Sequence, residues 1–343
     1  MPETNAILDT ESKIQKKLGF LGVGWIGKSR LEAIKTANIS TIGAIADANQ
    51  ALLADMQEEY KVEGSNSLED LLLSDIDGLV IATPSAMHAK QSIMALENGK
   101  AVFCQKPLGR NATETKQVVD TAKRENLLLG VDFSYRFTCY REIYKLIQSG
   151  ALGKIYAVEA SFHNAYGPDK SWFYDPQQSG GGCLIDLGIH LVDLILWSFH
   201  FPKLLHSNSR LFSQGNLLTN RDHQVEDYVN TQLYFENEMM CNLTCSWNLP
   251  AGKDADISIN VFGTKGGASF RNLNGSFYDF EAVRFNGTQT QTLFNGPDDW
   301  GGKAAIDWCK SLDQNSGFDE SAYEIVEVAH LIDKIYADTF DSI

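Results

Sequence analysis

Three residues able to move a proton recur at helical spacing in the second half of the chain: Asp186, His190 and Asp193, four and three residues apart. That spacing puts them on one face of a helix expected over 183–199. The opposite face, with Leu184, Leu191, Leu194 and Ile195, is apolar enough to bury. Imidazole titrates near neutral pH, and carboxylates on its stripe can fix its tautomer and raise its pKa, which makes His190 a candidate general acid–base. The same stripe also reads as polar packing in which the histidine only caps or fills space. An Asp and a His at i, i+4 fall short of a ligand set, and no metal is expected.

The second chemistry is phosphate binding. Gly22-Val23-Gly24-Trp25-Ile26-Gly27 follows the apolar run 18–21 and precedes helical spacing over 28–37, so the glycines sit at a strand-to-helix turn. Gly22 allows the tight turn, Gly24 lets a diphosphate approach the backbone, and Gly27 lets helix and strand pack closely. The helix N-terminus, opened by Trp25 and Ile26, offers free N–H groups to the phosphates. A second apolar strand over 41–46 ends in Asp47, about 20 residues past the last glycine, where a ribose-binding carboxylate belongs. A carboxylate repels a 2′-phosphate, and Ala48 and Asn49 supply no arginine to offset this, so NAD is favoured over NADP. Asp47 can also be read as the N-cap of a helix over 50–60.

Strands and helices alternate from 17 to 133: helices over 50–60, 68–73, 86–98 and 112–124, and strands over 78–82, 101–104 and 127–132. Alternation with right-handed crossovers predicts a doubly wound parallel sheet, with its ligand crevice beyond the carboxyl ends of the strands. The glycine loop, Thr83-Pro84 and Gln105-Lys106-Pro107 all fall at those ends. After a helix over 140–148, strands dominate at 154–163, 204–212, 225–235, 239–247 and 255–262, which predicts an antiparallel sheet open on one face. An aromatic loop over 164–179 and Gly180-Gly181-Gly182 interrupt this run, and helices near 302–312 and 320–337 close the chain. The fold class is therefore α/β, a Rossmann sheet followed by an α+β domain with a large, mostly antiparallel sheet. We divide it into a loose tail (1–16), a dinucleotide-binding domain (17–134) and a substrate-binding and oligomerisation domain (135–343), its last helix free to pack back on the first.

At 343 residues and a formal charge of −15, the chain is long enough for two cores and ill suited to nucleic acid or anionic membranes. No run of 18 apolar residues marks a membrane span. Residues 1–12 lack the basic and apolar regions of a signal peptide, so a cytoplasmic protein is expected. Six scattered cysteines without paired C-x-x-C spacing read as reduced packing residues.

Taken in order, the glycine loop, Thr83-Pro84 with His88 after it, Gln105-Lys106-Pro107, Tyr135-Arg136-Phe137, and Gly180-Gly181-Gly182 leading to Asp186-Leu187-Gly188-Ile189-His190 resemble the Gfo/Idh/MocA family of sugar and inositol oxidoreductases. The resemblance implies an active site between the two domains, a catalytic Lys106, and a D-x-x-x-H pair in Asp186 and His190. It implies hydride exchange between nicotinamide and a secondary hydroxyl or carbonyl of a sugar or polyol, with His190 as base. Thr83, Pro84, His88, Gln105 and Lys106 would line the cofactor, although His88 is also readable as structural. Tyr135, Arg136, His163, Asn164, Tyr166 and Trp172 would select substrate; Arg136 is equally readable as a domain-joining ion pair and Trp172 as core. The family tripeptide usually begins with glutamate, and Gln105 departs from it, which bears on cofactor tuning. A cis Lys106–Pro107 bond would aim the lysine into the crevice. The open sheet implies a homodimer or homotetramer. A redox-neutral NAD-dependent glycosidase and a non-catalytic nucleotide-binding regulator are the alternatives.

Overall fold

The computed structural model of the chain describes residues 15–340, so nearly all of the tail expected over 1–16 lies outside the described residues. The first sheet is built from β1 (Lys17–Leu21), α1 (Trp25–Ala37), β2 (Thr41–Ala46), α2 (Gln50–Tyr60), β3 (Glu63–Ser65), α3 (Leu68–Leu73), β4 (Gly78–Ile81), α4 (Ser85–Glu97), β5 (Ala101–Cys104), α5 (Ala112–Glu125) and β6 (Leu129–Val131). Its six strands are all parallel, in the order β3-β2-β1-β4-β5-β6. Strands β4 and β5 are buried along their whole length, as strands covered by helices on both faces must be. The order reverses between β1 and β4, which opens the crevice at their carboxyl ends.

The chain crosses through a 3-10 turn (Ser134–Phe137) and α6 (Tyr140–Gln148) into β7 (Ile155–Asn164), and a second 3-10 turn (Ser171–Tyr174) precedes the short α7 (Pro176–Ser179). What reads in sequence as one helix over 183–199 is a π-helical stretch, Leu184–Gly188, running into α8 (Ile189–Ser198). The helical run 176–198 is long and apolar enough to cross a membrane, longer than the sequence reading allowed, yet almost all of it is buried inside the fold. Its apolarity is that of a core helix.

Eight more strands follow: β8 (Leu204–Ser213), β9 (Asn216–Leu217), β10 (Tyr228–Phe235), β11 (Met240–Ser246), β12 (Ala255–Gly263), β13 (Gly266–Asn272), β14 (Phe280–Asn286) and β15 (Gln289–Gly296). With β7 they form a nine-stranded sheet in the order β15-β14-β13-β12-β7-β11-β10-β8-β9. It is antiparallel except where β7 lies parallel to β11. Alternation along β7 sends Val158, Ala160 and Phe162 to the core and Glu159, Ser161 and His163 to the other face. That outward face is mixed, with Ser161, Ser258, Asn230 and Thr244 beside the aromatic rings of Tyr228 and Tyr234.

The final helices return to the first sheet. Helix α9 (Lys303–Asp313) packs Ala304, Ala305, Trp308 and Leu312 against Leu18, Phe20, Ile34 and Phe103. After a 3-10 turn (Glu320–Ala322), α10 (Tyr323–Phe340) packs against α5, α8 and β8 and so joins both cores. All six cysteines are buried and free.

Candidate functional site

The glycine loop is shaped as a phosphate cradle. Gly22 has φ +83°, and a Cβ there would lie 2.7 Å from the Ala82 carbonyl oxygen at the end of β4. A Cβ on Gly27 would lie 2.0 Å from the Gly22 oxygen. Gly24, by contrast, faces open space, with nothing within 4 Å of its Cβ position. It stands at the N-cap of α1, which has no side-chain cap and no acidic residue in its first turn, so the first N–H groups and the dipole are left for an anion. Trp25 is 75% exposed at this end, and Ile26 is half-buried behind it. Asp47 accepts from the Val23 N–H through Oδ2 and from the Asn49 N–H through Oδ1, both at 2.8 Å. The cap of α2 is Asn49, so the N-cap reading of Asp47 is set aside. Each Asp47 oxygen keeps a lone pair for a ribose hydroxyl. These residues fit a dinucleotide.

Thr83 and Pro84 follow β4 directly and abut the loop, with the Thr83 hydroxyl donating to Gln91 Oε1 at 2.5 Å. His88 does not face the crevice. It is 1% exposed, with Nδ1 2.7 Å from the Pro107 carbonyl oxygen and Nε2 2.6 Å from that of Thr83. Burial lowers its pKa against the pull of these two carbonyls, and the ring ties the two turns together as a structural residue. The Lys106–Pro107 bond is cis.

Lys106 meets the second half of the site here. Its Nζ donates to Asp186 Oδ1 at 2.8 Å and to the Asp186 carbonyl oxygen at 2.6 Å. Trp247 Nε1 donates to Asp186 Oδ2 at 3.0 Å. With both oxygens engaged, Asp186 does not bond His190, and Asp193 is taken by Arg136. The expectation that the stripe raises the His190 pKa is therefore corrected. His190 is 9% exposed, and its pKa lies well below the ordinary 6.5 because of burial first, then the nearby Lys106 and Arg30 charges. Its Nδ1 is buried without a partner, and its ring packs 4.8 Å from that of Tyr135. The arrangement presents a neutral imidazole beside an ammonium group, suited to accepting a proton from a hydroxyl whose developing charge the ammonium stabilises.

The expected substrate contacts divide. Tyr135 is buried among Phe162, His190, Phe280 and Trp300, and serves as a wall behind the imidazole. Arg136 does not reach toward substrate: its guanidinium holds Asp193 through Nε and Nη2 and Glu324 through Nη1. This joins the 3-10 turn, α8 and α10, and corrects the substrate assignment. His163 is corrected as well, because strand alternation turns it away from the Phe162 face, where it bonds Ser246 and Thr244 and stacks on Tyr228. Asn164 shares the Phe162 face, and its Oδ1 is buried without a partner. Tyr166 is 52% exposed on the following loop. Trp172 stacks on Phe173 at 3.8 Å, and Phe173 meets the edge of Trp247, so this cluster reaches Asp186 through one indole.

Sequence reasoning missed three groups. Trp247 and Glu226 carry no local signal, since only tertiary packing brings them to the helix of Asp186. Glu226 is fully buried and accepts through Oε1 from the Gly182 and Leu184 N–H groups and from the Tyr336 hydroxyl. The third group, Arg30 with Asp132 and Ser134, left a trace: Arg30 falls on the buried stripe of α1 with Gly27, Leu31 and Ile34. A charge there needs a partner. Among the described residues no three His, Cys, Asp or Glu side chains cluster as a metal site.

A glycine cradle and a lysine at the end of a parallel sheet, met by a carboxylate and an imidazole on the helix that packs against a second sheet, mark a two-sheet nucleotide-dependent oxidoreductase. The family model for the oxidoreductase family with NAD-binding Rossmann fold matches residues 16–133, and that for the GFO/IDH/MocA C-terminal domain matches 140–269. The chain belongs to the GFO/IDH/MocA family. It is 30% identical over 260 residues to glucose-6-phosphate 3-dehydrogenase of Bacillus subtilis (strain 168), covering 73% of each chain. It is 26% identical to D-glucoside 3-dehydrogenase of Escherichia coli (strain K12), covering 74% of this chain and 76% of that protein. Among solved structures, levoglucosan dehydrogenase in complex with NADH superposes with a TM-score of 0.82 at 23% identity, covering 95% of this chain and 97% of the other. The 3-ketoreductase KijD10 from Actinomadura kijaniata in complex with NADP superposes at 0.81 and 19% identity, covering 95% and 98%. Those two proteins hold different dinucleotides.

Proposed function

We propose that the protein is an NAD-dependent dehydrogenase acting on a secondary hydroxyl of a sugar or polyol, or reducing the matching carbonyl. The observation that carries this reading is the meeting of Lys106, Asp186 and a neutral His190, its Nδ1 without a hydrogen-bond partner, at the carboxyl ends of the strands that hold the glycine cradle. The uncapped start of α1 and Gly24 would hold the phosphates, and Asp47 the adenosine ribose; its carboxylate favours NAD over NADP. The nicotinamide supplies the hydride exchange. His190 accepts the hydroxyl proton, Lys106 stabilises the oxygen as charge develops, and Asp186, clamped by Trp247, sets the lysine and offers an acceptor to a neighbouring hydroxyl. Asn164 Oδ1 supplies a further acceptor, and Trp172 an apolar ring. The names of the relatives, which describe dehydrogenases of glucose derivatives, support this substrate class. We place the domain boundary at 134/135 and assign the open sheet to a homodimer or homotetramer.

The test is absorbance at the NADH band with purified protein, NAD or NADP, and a panel of sugars, sugar phosphates, glycosides and inositols. Growth with NAD and one member supports the reading and begins to name the substrate. Silence across the panel in protein that binds NAD by calorimetry would move the assignment to a redox-neutral glycosidase or a sensor.

A further inference from the structure

At the carboxyl end of the first sheet lies a charged network, of which the chemistry above uses only the Arg30 charge acting on His190. Arg30, on α1 just past the glycine loop, places Nε 2.5 Å from Asp132 Oδ2 and Nη2 3.2 Å from the Ser134 hydroxyl. Gln105 Nε2 donates to the same Asp132 oxygen at 2.5 Å, and the Ser134 hydroxyl donates to Asp132 Oδ1. The network is secluded, with the Arg30 side chain 7% and that of Asp132 1% exposed. It joins the helix of the phosphate cradle, the residue before Lys106 and the end of β6.

The chemistry of these groups settles the orientation of the amide. A carboxylate only accepts, so Gln105 must turn its NH2 toward Asp132. Its Oε1 is thereby turned away from Asp132 and accepts from nothing among the described residues. We propose that Asp132 is a positioning residue. Held by Arg30 and Ser134, it fixes the Gln105 amide with its acceptor toward the nicotinamide half of the crevice. It also carries, one residue deeper, the negative charge that a glutamate at 105 would carry directly. Gln105, Asp132 and Arg30 then form one unit: one amide, one carboxylate and one guanidinium. This rests on the cofactor reading above.

The unit makes a charge-exchange test possible. Q105E would place two carboxylates 2.5 Å apart at the position of the present bond, and like charges at that distance cannot both stay ionised. D132N removes the anion that orients the amide. Q105E/D132N restores one carboxylate and one amide against the same guanidinium, with their positions exchanged. NADH affinity is measured by calorimetry and the melting temperature on protein without cofactor. Each single variant should lose about tenfold or more in affinity and melt lower, while the double variant returns to within about threefold of the parent and regains its melting temperature. Wild-type affinity in Q105E, or losses that add in the double variant, would overturn the proposal. If the parent binds neither NADH nor NADPH, the cofactor reading fails and this role fails with it; the melting temperatures alone then report the network.

Discussion

At the scale of single residues, the site depends on what surrounds His190. Its neighbours are cations and aromatic rings, so the ring is held neutral, the form a base needs when a hydroxyl is oxidised. His190→Ala should lower kcat by about 10²–10⁴-fold while NAD affinity by calorimetry stays nearly unchanged, because the ring packs on Tyr135 and Phe162 and holds no residue of the glycine loop by a hydrogen bond. A variant with wild-type turnover would remove His190 from the role of base. The pH profile follows from the same burial. With a folded pKa well below the ordinary 6.5, the acid limb of kcat/KM should fall below pH 6.5. The linkage has the same direction: the unfolded chain binds this proton more readily, so the stability tied to the neutral ring is fully present above about pH 6.5 and is lost as pH falls through the folded value. A limb above pH 7 would contradict the assignment.

At the scale of elements, the helix that carries Asp186 and His190 begins on a buried carboxylate. Glu226 gathers the Gly182 and Leu184 N–H groups and the Tyr336 hydroxyl, and Arg221 lies over the Tyr336 ring and donates to the Gly180 carbonyl. Burial raises the Glu226 pKa, while Arg221 and the hydrogen bonds pull it down. Glu226→Ala strands the Gly182 and Leu184 N–H groups and the Tyr336 hydroxyl, and should destabilise the protein by about 1–3 kcal/mol in urea unfolding. Asp186 would lose its fixed start, so kcat should fall too. Full stability in this variant would show that the glycine run holds itself.

For the whole molecule, two cores share one chain because α9 and α10 return to the first sheet after the second is built. In the proposed oligomer the outward face of the nine-stranded sheet meets a partner; β7 and β12 lie at or next to the centre of that sheet, where the Ser161 and Ser258 hydroxyls are 2.9 Å apart. A stable interface buries about 1,200–2,000 Å², and a face of nine strands is the candidate for it. Sedimentation velocity should find a dimer or tetramer, and Ser161→Lys should shift it toward smaller species. A monomeric wild type would rule the oligomer out, and a variant that assembles unchanged would place the interface elsewhere.

Much of this was legible in the order of residues because it depends on local rules. Strand and helix periods located the parallel sheet, and β2, α3, β5 and α6 fall where their patterns place them, since each is a short run closed by its own turn chemistry. The glycine loop was legible because backbone that must turn tightly or lie close to another strand admits little else. The strands β13, β14 and β15 were missed, their alternation being diluted by glycine and polar residues. The partners of the charged side chains also stayed hidden. The sequence by itself determined which groups are available for chemistry: a cradle, a lysine, a carboxylate and an imidazole. Only the tertiary structure decided that Asp186 serves Lys106 and not His190, that Arg136 is spent on Asp193, and that Gln105 leans on Asp132. Those choices are made by contacts between residues 27 to 80 positions apart, and pairing over such distances is set by how sheets and helices pack, which no local pattern encodes.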